Sequence, residues 1–141
     1  LFKLWEAFLS FNSLSIKKMN KIKRVYVAGP YSSDNVIDIL NNMHRGMRLA
    51  TEVLLAGFYP FAPWLDYQFS LMLRDDESLT IDDYYKYSIA WLEVSDAILV
   101  TQNYEKSNDT LKEIEKAREL NIPIFYSLGE LKKHDKNKLS E

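Results

Sequence analysis

The chain has 141 residues, of which 47% are apolar and 27% charged, the balance of one globular domain with enough material for a core. Eighteen basic and 20 acidic residues leave a net charge of −2, which argues against a general nucleic-acid binder and leaves only a local basic patch open. The absence of Cys excludes disulfides, thiolate zinc sites and Cys nucleophiles, and His44 and His134 lie too far apart in sequence to suggest a His-based metal site.

Residues 1–18 precede Met19, and Leu1, Leu4, Trp5, Phe8 and Phe11 recur at the spacing of an amphipathic helix. Glu6 interrupts the apolar stretch and no small-residue cleavage site follows, so a signal peptide is a poor match. The expected organisation is an N-terminal extension over 1–18, a domain over 19–128 and a polar tail over 129–141. The extension reads either as an addition upstream of the natural start or as a docking helix, and the tail as frayed and solvated. No apolar run approaches the roughly 20 residues that a bilayer crossing needs, so a soluble, cytoplasmic protein without membrane contact is expected.

Between these ends strand and helix patterns alternate. Arg24–Gly29 is a β-rich run broken by Gly29-Pro30. Asp34 or Asn35 can cap a long helix ending before Gly57, with Ile37, Leu40, Met43, Met47, Ala50 and Leu54 near a 3.6 period. Phe58–Ala62 is a short apolar run stopped by Pro63, and a helical pattern spans about Ile81–Val94. Asp96–Thr101 reads as a strand buried on both faces, a helix follows from about Asp109 to Leu120, and Pro123–Tyr126 closes the series. Such alternation calls for right-handed parallel crossovers. The expected fold is therefore α/β, a single Rossmann-like or flavodoxin-like domain with a parallel sheet flanked by helices. Ligands bind such sheets beyond the carboxyl ends of the strands, which directs attention to loops 29–35, 62–70 and 102–109.

One acid stands out in the helix after the third strand. With about 100° per residue from Leu111, Ile114, Ala117 and Leu120 form the inward stripe at roughly 180–300°. Lys112, Glu115, Lys116 and Glu119 fall at roughly 40–140°, whereas Glu113 lands near 200°, inside the stripe. It also sits in the first turns, where amide groups favour negative charge. Two readings stay open: a boundary Glu that snorkels or caps amides, and a functional carboxylate.

The run Tyr26-Val27-Ala28-Gly29-Pro30-Tyr31-Ser32-Ser33 places Tyr26 on the face opposite Val27. Its glycine permits close approach of a ligand, and Ser32, Ser33 and backbone amides can bind phosphate or sugar; an ordinary strand-to-helix turn has the same look. Trp64, Tyr67 and Phe69 can stack on a planar base and Asp66 can bind a sugar hydroxyl or a base edge, although core or dimer packing explains the aromatics equally well. Asp82 and Asp83 read as a helix N-terminus, Asp96 as structural, and Tyr84, Tyr85, Tyr87 and Trp91 as packing residues.

The ordered set YVAGPYSS, YPFAPWLD, WLEVSDAILV and S-x-x-T-x-x-E-I-x-x-A resembles the nucleoside 2-deoxyribosyltransferase superfamily over about residues 22–127. That superfamily includes the deoxynucleoside 5′-monophosphate N-glycosidases. The resemblance implies cleavage or transfer at an N-glycosidic bond through a covalent ribosyl–Glu intermediate, with no metal or organic cofactor. It also implies a nucleoside or nucleotide substrate rather than a nucleic-acid polymer, and a homodimer or higher homo-oligomer. The family nucleophile matches Glu113 and its strand tyrosine matches Tyr26. The loop around sugar or phosphate matches Gly29, Pro30, Tyr31, Ser32 and Ser33, and Ser107 matches a phosphate-contacting serine. Ser88 stands where the family often has an Asp that contacts the sugar, and Asp109 stands in place of a usual Gly.

The implied chemistry requires Glu113 to be ionised, with amide donors and Tyr26 keeping its pKa low despite partial burial. Asp66, if protonated, would assist the departing base, and residues 64, 67 and 69 would form the base pocket. The rival reading is a nucleotide-sensing α/β domain without catalysis, favoured by Ser88. A phosphoribohydrolase is disfavoured because its PGGxGTxxE signature is absent.

Overall fold

Four short parallel strands form the sheet, in the order β2-β1-β3-β4, in a computed structural model that describes residues 3–9 and 21–139. The strands are β1 (Arg24–Ala28), β2 (Tyr59–Phe61), β3 (Ala97–Val100) and β4 (Ile124–Phe125). Alternation along β1 divides the core in two. Val25 and Val27 point to one face with Ala97 and Leu99 of β3, and Tyr26 and Ala28 point to the other with Ile98 and Val100.

On the first face, Ala50 and Val53 of α2 (Val36–Leu55) and Leu131 of α6 (Leu128–Leu139) complete the core. On the second, Leu92 of α4 (Ile81–Glu93) and Ile114 and Ala117 of α5 (Asn108–Glu119) do so. Helices thus cover both faces, the arrangement expected of a flavodoxin-like α/β domain. The chain leaves β1 toward β2 in one direction and then crosses back over β1 to β3. The carboxyl ends of β1 and β3 therefore flank the switch point at which such sheets open a crevice.

The helices start where the sequence places them. Asn35 caps α2, its Oδ1 accepting from the Ile37 amide at 2.7 Å. Thr80 and Asp83 form a reciprocal capping box at α4, which accounts for Asp83 as a structural acid. Ser107 caps α5, its Oγ accepting from the Thr110 amide at 3.2 Å. Asp96 is structural as well. Its carboxylate accepts from the Lys23 and Arg24 amides at 3.0 and 2.8 Å and pairs with the Arg24 guanidinium at 3.1 Å.

Three expectations need correction. Residues expected to fray after 129 instead form most of α6, because Ser127 and Glu130 cap it and Leu131 inserts fully into the core. At the end of α5, Leu120 is exposed rather than inward, and the buried stripe runs through Thr110, Glu113, Ile114 and Ala117. The stretch expected as loop 62–70 is ordered into a 3-10 turn (Pro63–Asp66) and a short helix α3 (Tyr67–Met72). Residues 3–9 form a helix, α1, as the spacing predicts, with Leu4, Trp5 and Phe8 exposed; Leu1, Phe11 and Met19 lie outside the described residues.

Candidate active site

The second face of the sheet supplies the floor of the site. Tyr26, wholly buried in the middle of β1, directs its phenol at α5 and donates to Glu113 Oε1 at 2.6 Å. Glu113 is 7% exposed, so the sequence alternative of an acid snorkelling into solvent does not hold. A bond of this length to a carboxylate is of the strong, charge-assisted kind.

Burial nevertheless dominates the electrostatics. Desolvation pushes the Glu113 carboxyl up to about 7 from its usual 4.5, the Tyr26 hydrogen bond pulls it back only in part, and the Asp109 charge adds to the rise. The expectation of a low pKa is therefore corrected. α5 starts at Asn108, and the Thr110 and Leu111 amides of its first turn are committed to the Ser107 hydroxyl and carbonyl rather than to Glu113. Tyr26 is itself held well above the ordinary tyrosine range by burial and by the neighbouring Glu113 charge, with the Ser88 hydroxyl acting in the opposite direction.

Glu113 lines a cavity of about 660 Å³ at the carboxyl edge of β1 and β3, a volume typical of small-molecule sites. A second buried acid lines it too. Asp66, at the end of the 3-10 turn, is 7% exposed; burial raises its carboxyl and the neighbouring Tyr31 phenol opposes the rise. Of the other residues singled out in the sequence, Gly29, Tyr31, Ser32, Tyr67, Ser88, Ser107 and Asp109 also line the cavity.

Four do not. Tyr26 lies beneath the floor, wholly buried and bonded to Glu113. Pro30 turns its carbonyl to the Trp64 indole, and Ser33 spends its hydroxyl on the Asn35 amide at 3.4 Å. Trp64 is 2% exposed and cannot stack on a ligand. Its ring occupies the slot left by Gly46 of α2, where an added Cβ would lie 2.4 Å from the ring, and its Nε1–H donates to the Pro30 carbonyl at 3.1 Å. Phe69 likewise packs edge-on against Tyr87, in an aromatic cluster that continues through Phe61 to Tyr26 and Trp91. The expected base pocket of residues 64, 67 and 69 is thus reduced to Tyr67.

The sequence reading missed Tyr84, Tyr85, Thr110 and Lys112, all of which line the cavity. In a parallel crossover a helix begins at the carboxyl edge of the sheet, so first-turn residues of α4 and α5 face the crevice. Tyr84 and Tyr85, just after the Thr80 capping box, carry that signal. The Tyr84 hydroxyl is 2.6 Å from Ser70 Oγ, and the Lys112 ammonium lies 5.8 Å over the Tyr85 ring and 3.4 Å from Asp109. No group of metal-ligating side chains large enough to hold an ion occurs among the described residues.

Gly29 shows why the floor is so close-packed. A Cβ there would lie 2.1 Å from Thr101 Oγ1, so the glycine is required for the end of β1 to approach that of β3.

A family described as a domain of unknown function, DUF7768, matches residues 23–127. The chain belongs to this family. The DUF7768 match takes in every strand and both helices that carry the site, from β1 to β4. No curated protein matches the sequence. Among solved structures, one similar to this DUF7768 member is a 2-deoxyribosyltransferase from the psychrotolerant bacterium Bacillus psychrosaccharolyticus. It shares 16% identity over 72% of this chain and 69% of that one, with a TM-score of 0.48.

Proposed function

We propose that this protein cleaves or transfers at the N-glycosidic bond of a nucleoside or nucleoside 5′-monophosphate, with Glu113 as nucleophile. The observation that carries the reading is a buried carboxyl at the floor of a nucleoside-sized cavity, held by a tyrosine from the central strand. The ordered motifs shared with the nucleoside 2-deoxyribosyltransferase superfamily support it, as does the second buried acid, Asp66, in the same cavity.

In this reading ionised Glu113 attacks C1′ through an oxocarbenium-like transition state, and the C1′–N bond breaks with its electron pair moving to the base. Asp66, its carboxyl raised by burial, can supply the proton that a neutral departing base takes up. Water or a second base then attacks C1′ of the ester, the C1′–O bond breaks, and the Glu113 carboxylate is regenerated. Tyr26 stabilises the ionised form of the nucleophile through its phenolic hydrogen. Tyr31, Tyr67, Tyr84 and Tyr85 offer ring faces and edges for the base, and Ser32, Ser88 and Ser107 offer hydroxyls for the sugar. Hydrolase and transferase outcomes differ only in the acceptor.

A chromatographic screen for free base across nucleosides and monophosphates, with and without an acceptor base, tests the proposal. Base release by the wild type, its loss in Glu113→Ala, and a sugar adduct on Glu113 by mass spectrometry are expected. Ser88, beside the Tyr26–Glu113 pair, favours a second reading as a nucleotide-binding domain without catalysis. Binding without base release over long incubation would select that one.

A further inference from the structure

The cavity is acidic in a particular way. Of its ionisable residues, Asp109 is offset by Lys112 at 3.4 Å and Asp82 by Lys86 at 2.6 Å. The two deepest acids, Asp66 and Glu113, form no ion pair with any Lys or Arg among the described residues. Both are nine-tenths or more buried, and a buried carboxylate without a countercharge is unfavourable. Around them stand Tyr31, Tyr67, Tyr84 and Tyr85. Tyrosine faces near carboxylates are the construction that recognises organic cations. A further donor is idle: Thr110, 1% exposed and lining the same cavity, has an Oγ1 with no partner among the described residues.

We infer that the cavity selects ligands with a positively charged heteroaromatic ring, and so N-glycosides of cationic bases such as N-alkylated pyridinium or purinium rings, over neutral nucleosides and 5′-phosphates. This inference rests on the proposed function for the sugar half of the ligand, and on the charge and ring content of the cavity for the base half. The missing countercharge is then the ligand's own. An anionic phosphate would instead meet four carboxyls and only Lys112, itself engaged by Asp109. The chemistry is self-consistent. When Glu113 forms its bond to C1′ and the C1′–N bond breaks, the departing electron pair cancels the ring charge and the base leaves neutral. No proton has to be delivered. Water then attacks C1′, the ester C–O bond breaks to restore the carboxylate, and one proton goes to solvent. Ser88 beside the Tyr26–Glu113 pair, which is no proton source at neutral pH, is compatible with that route.

The test separates ligand charge from turnover. Nicotinamide and the N-methylnicotinamide cation are a matched pair with no glycosidic bond to break, so both can be titrated into wild-type protein at pH 8 by NMR. The cation is expected to bind at least tenfold more tightly. Asp66→Asn and, independently, Tyr85→Leu are each expected to reduce that preference threefold or more. Equal affinity for the two ligands overturns the inference, as does a preference untouched by both substitutions. A parallel assay of base release from nicotinamide riboside and from neutral nucleosides keeps the two proposals apart. Cation preference without any base release supports the charge selection and removes the glycosidase reading. Base release from neutral nucleosides by a protein that binds both probes equally does the reverse.

Discussion

The Tyr26 phenol and the Glu113 carboxyl meet at 2.6 Å across the boundary between the central strand and α5. The contact opposes the burial that lifts the acid to about 7. Removing the phenol in Tyr26→Phe takes away the one contribution that lowers Glu113, so its carboxyl should rise further. If the ionised form is the nucleophile, the acid limb of the pH profile of kcat/KM lies near pH 7 in the wild type. In Tyr26→Phe it should move to higher pH, with activity at pH 6.5 reduced roughly tenfold or more and partly regained by pH 9. An unmoved limb would show that Tyr26 does not tune the acid.

Glu113→Gln should abolish turnover, by roughly 10³-fold or more, while improving stability above neutrality. The sign follows from linkage. The folded protein holds the Glu113 proton more tightly than the unfolded chain, with a carboxyl near 7 against 4.5. Its stabilising contribution is therefore complete below about pH 4.5 and is lost as pH rises through about 7. The loss is on the order of 3 kcal/mol by pH 8. Denaturant titrations at pH 5 and pH 8 should show this decline in the wild type and a smaller one in Glu113→Gln. Identical pH slopes in the two proteins would contradict the burial account.

Asp66→Asn keeps a polar group of the same size beside Tyr31 but removes the second titrating acid of the cavity. For neutral nucleosides kcat should fall by about 10²-fold, and the alkaline limb of the profile, where a proton donor is lost, should flatten. Retention of both the rate and that limb would exclude Asp66 as the proton source.

Gly29→Ala should destabilise the fold by about 1–3 kcal/mol, since the new methyl would overlap the Thr101 side chain. Thr101 Oγ1 has no partner among the described residues, so Thr101→Ala alone should be mild. The double variant should recover most of the loss, and a double-mutant cycle measures the coupling directly. Additive effects would mean that the close approach of β1 and β3 is not what the glycine serves.

Leu131→Ala should cost about 2–5 kcal/mol, the range for emptying a buried leucine site, because α6 is part of the core. A change below about 0.5 kcal/mol, normal for a surface position, would return the helix to the status of a tail.

The strand and helix order was legible because strands buried on both faces, such as Ala97–Val100, read as unbroken apolar runs, and because Asn35 announces the long helix and Asp82 and Asp83 mark the start of the next. Glu113 was legible by angle alone, a charge inside an apolar stripe. Its ionisation was not, since desolvation depends on what the other elements bring around it. Trp64 failed as a base platform for a related reason: the slot that receives its ring is created by an absent side chain, Gly46 on α2, far along the chain. Tyr84 and Tyr85 differ from Tyr87 only in lying nearer the start of α4, a position that points to the cavity once the direction of the crossover is known. Leu131 sits in a stretch so polar that composition alone conceals its anchoring role.

The indole of Trp64 lies behind the cavity wall, resting on Gly46 at one end and holding the Pro30 carbonyl at the other. Tyr31 follows Pro30 directly and Asp66 follows Trp64 by two residues, so both chemical groups are fastened to the same rigid ring. A methyl group added at position 46, on the opposite side of the sheet from Glu113, would therefore be felt in the cavity as a misalignment of phenol and acid. The ring acts as a strut that transmits the spacing of a remote helix to the lining of the chamber.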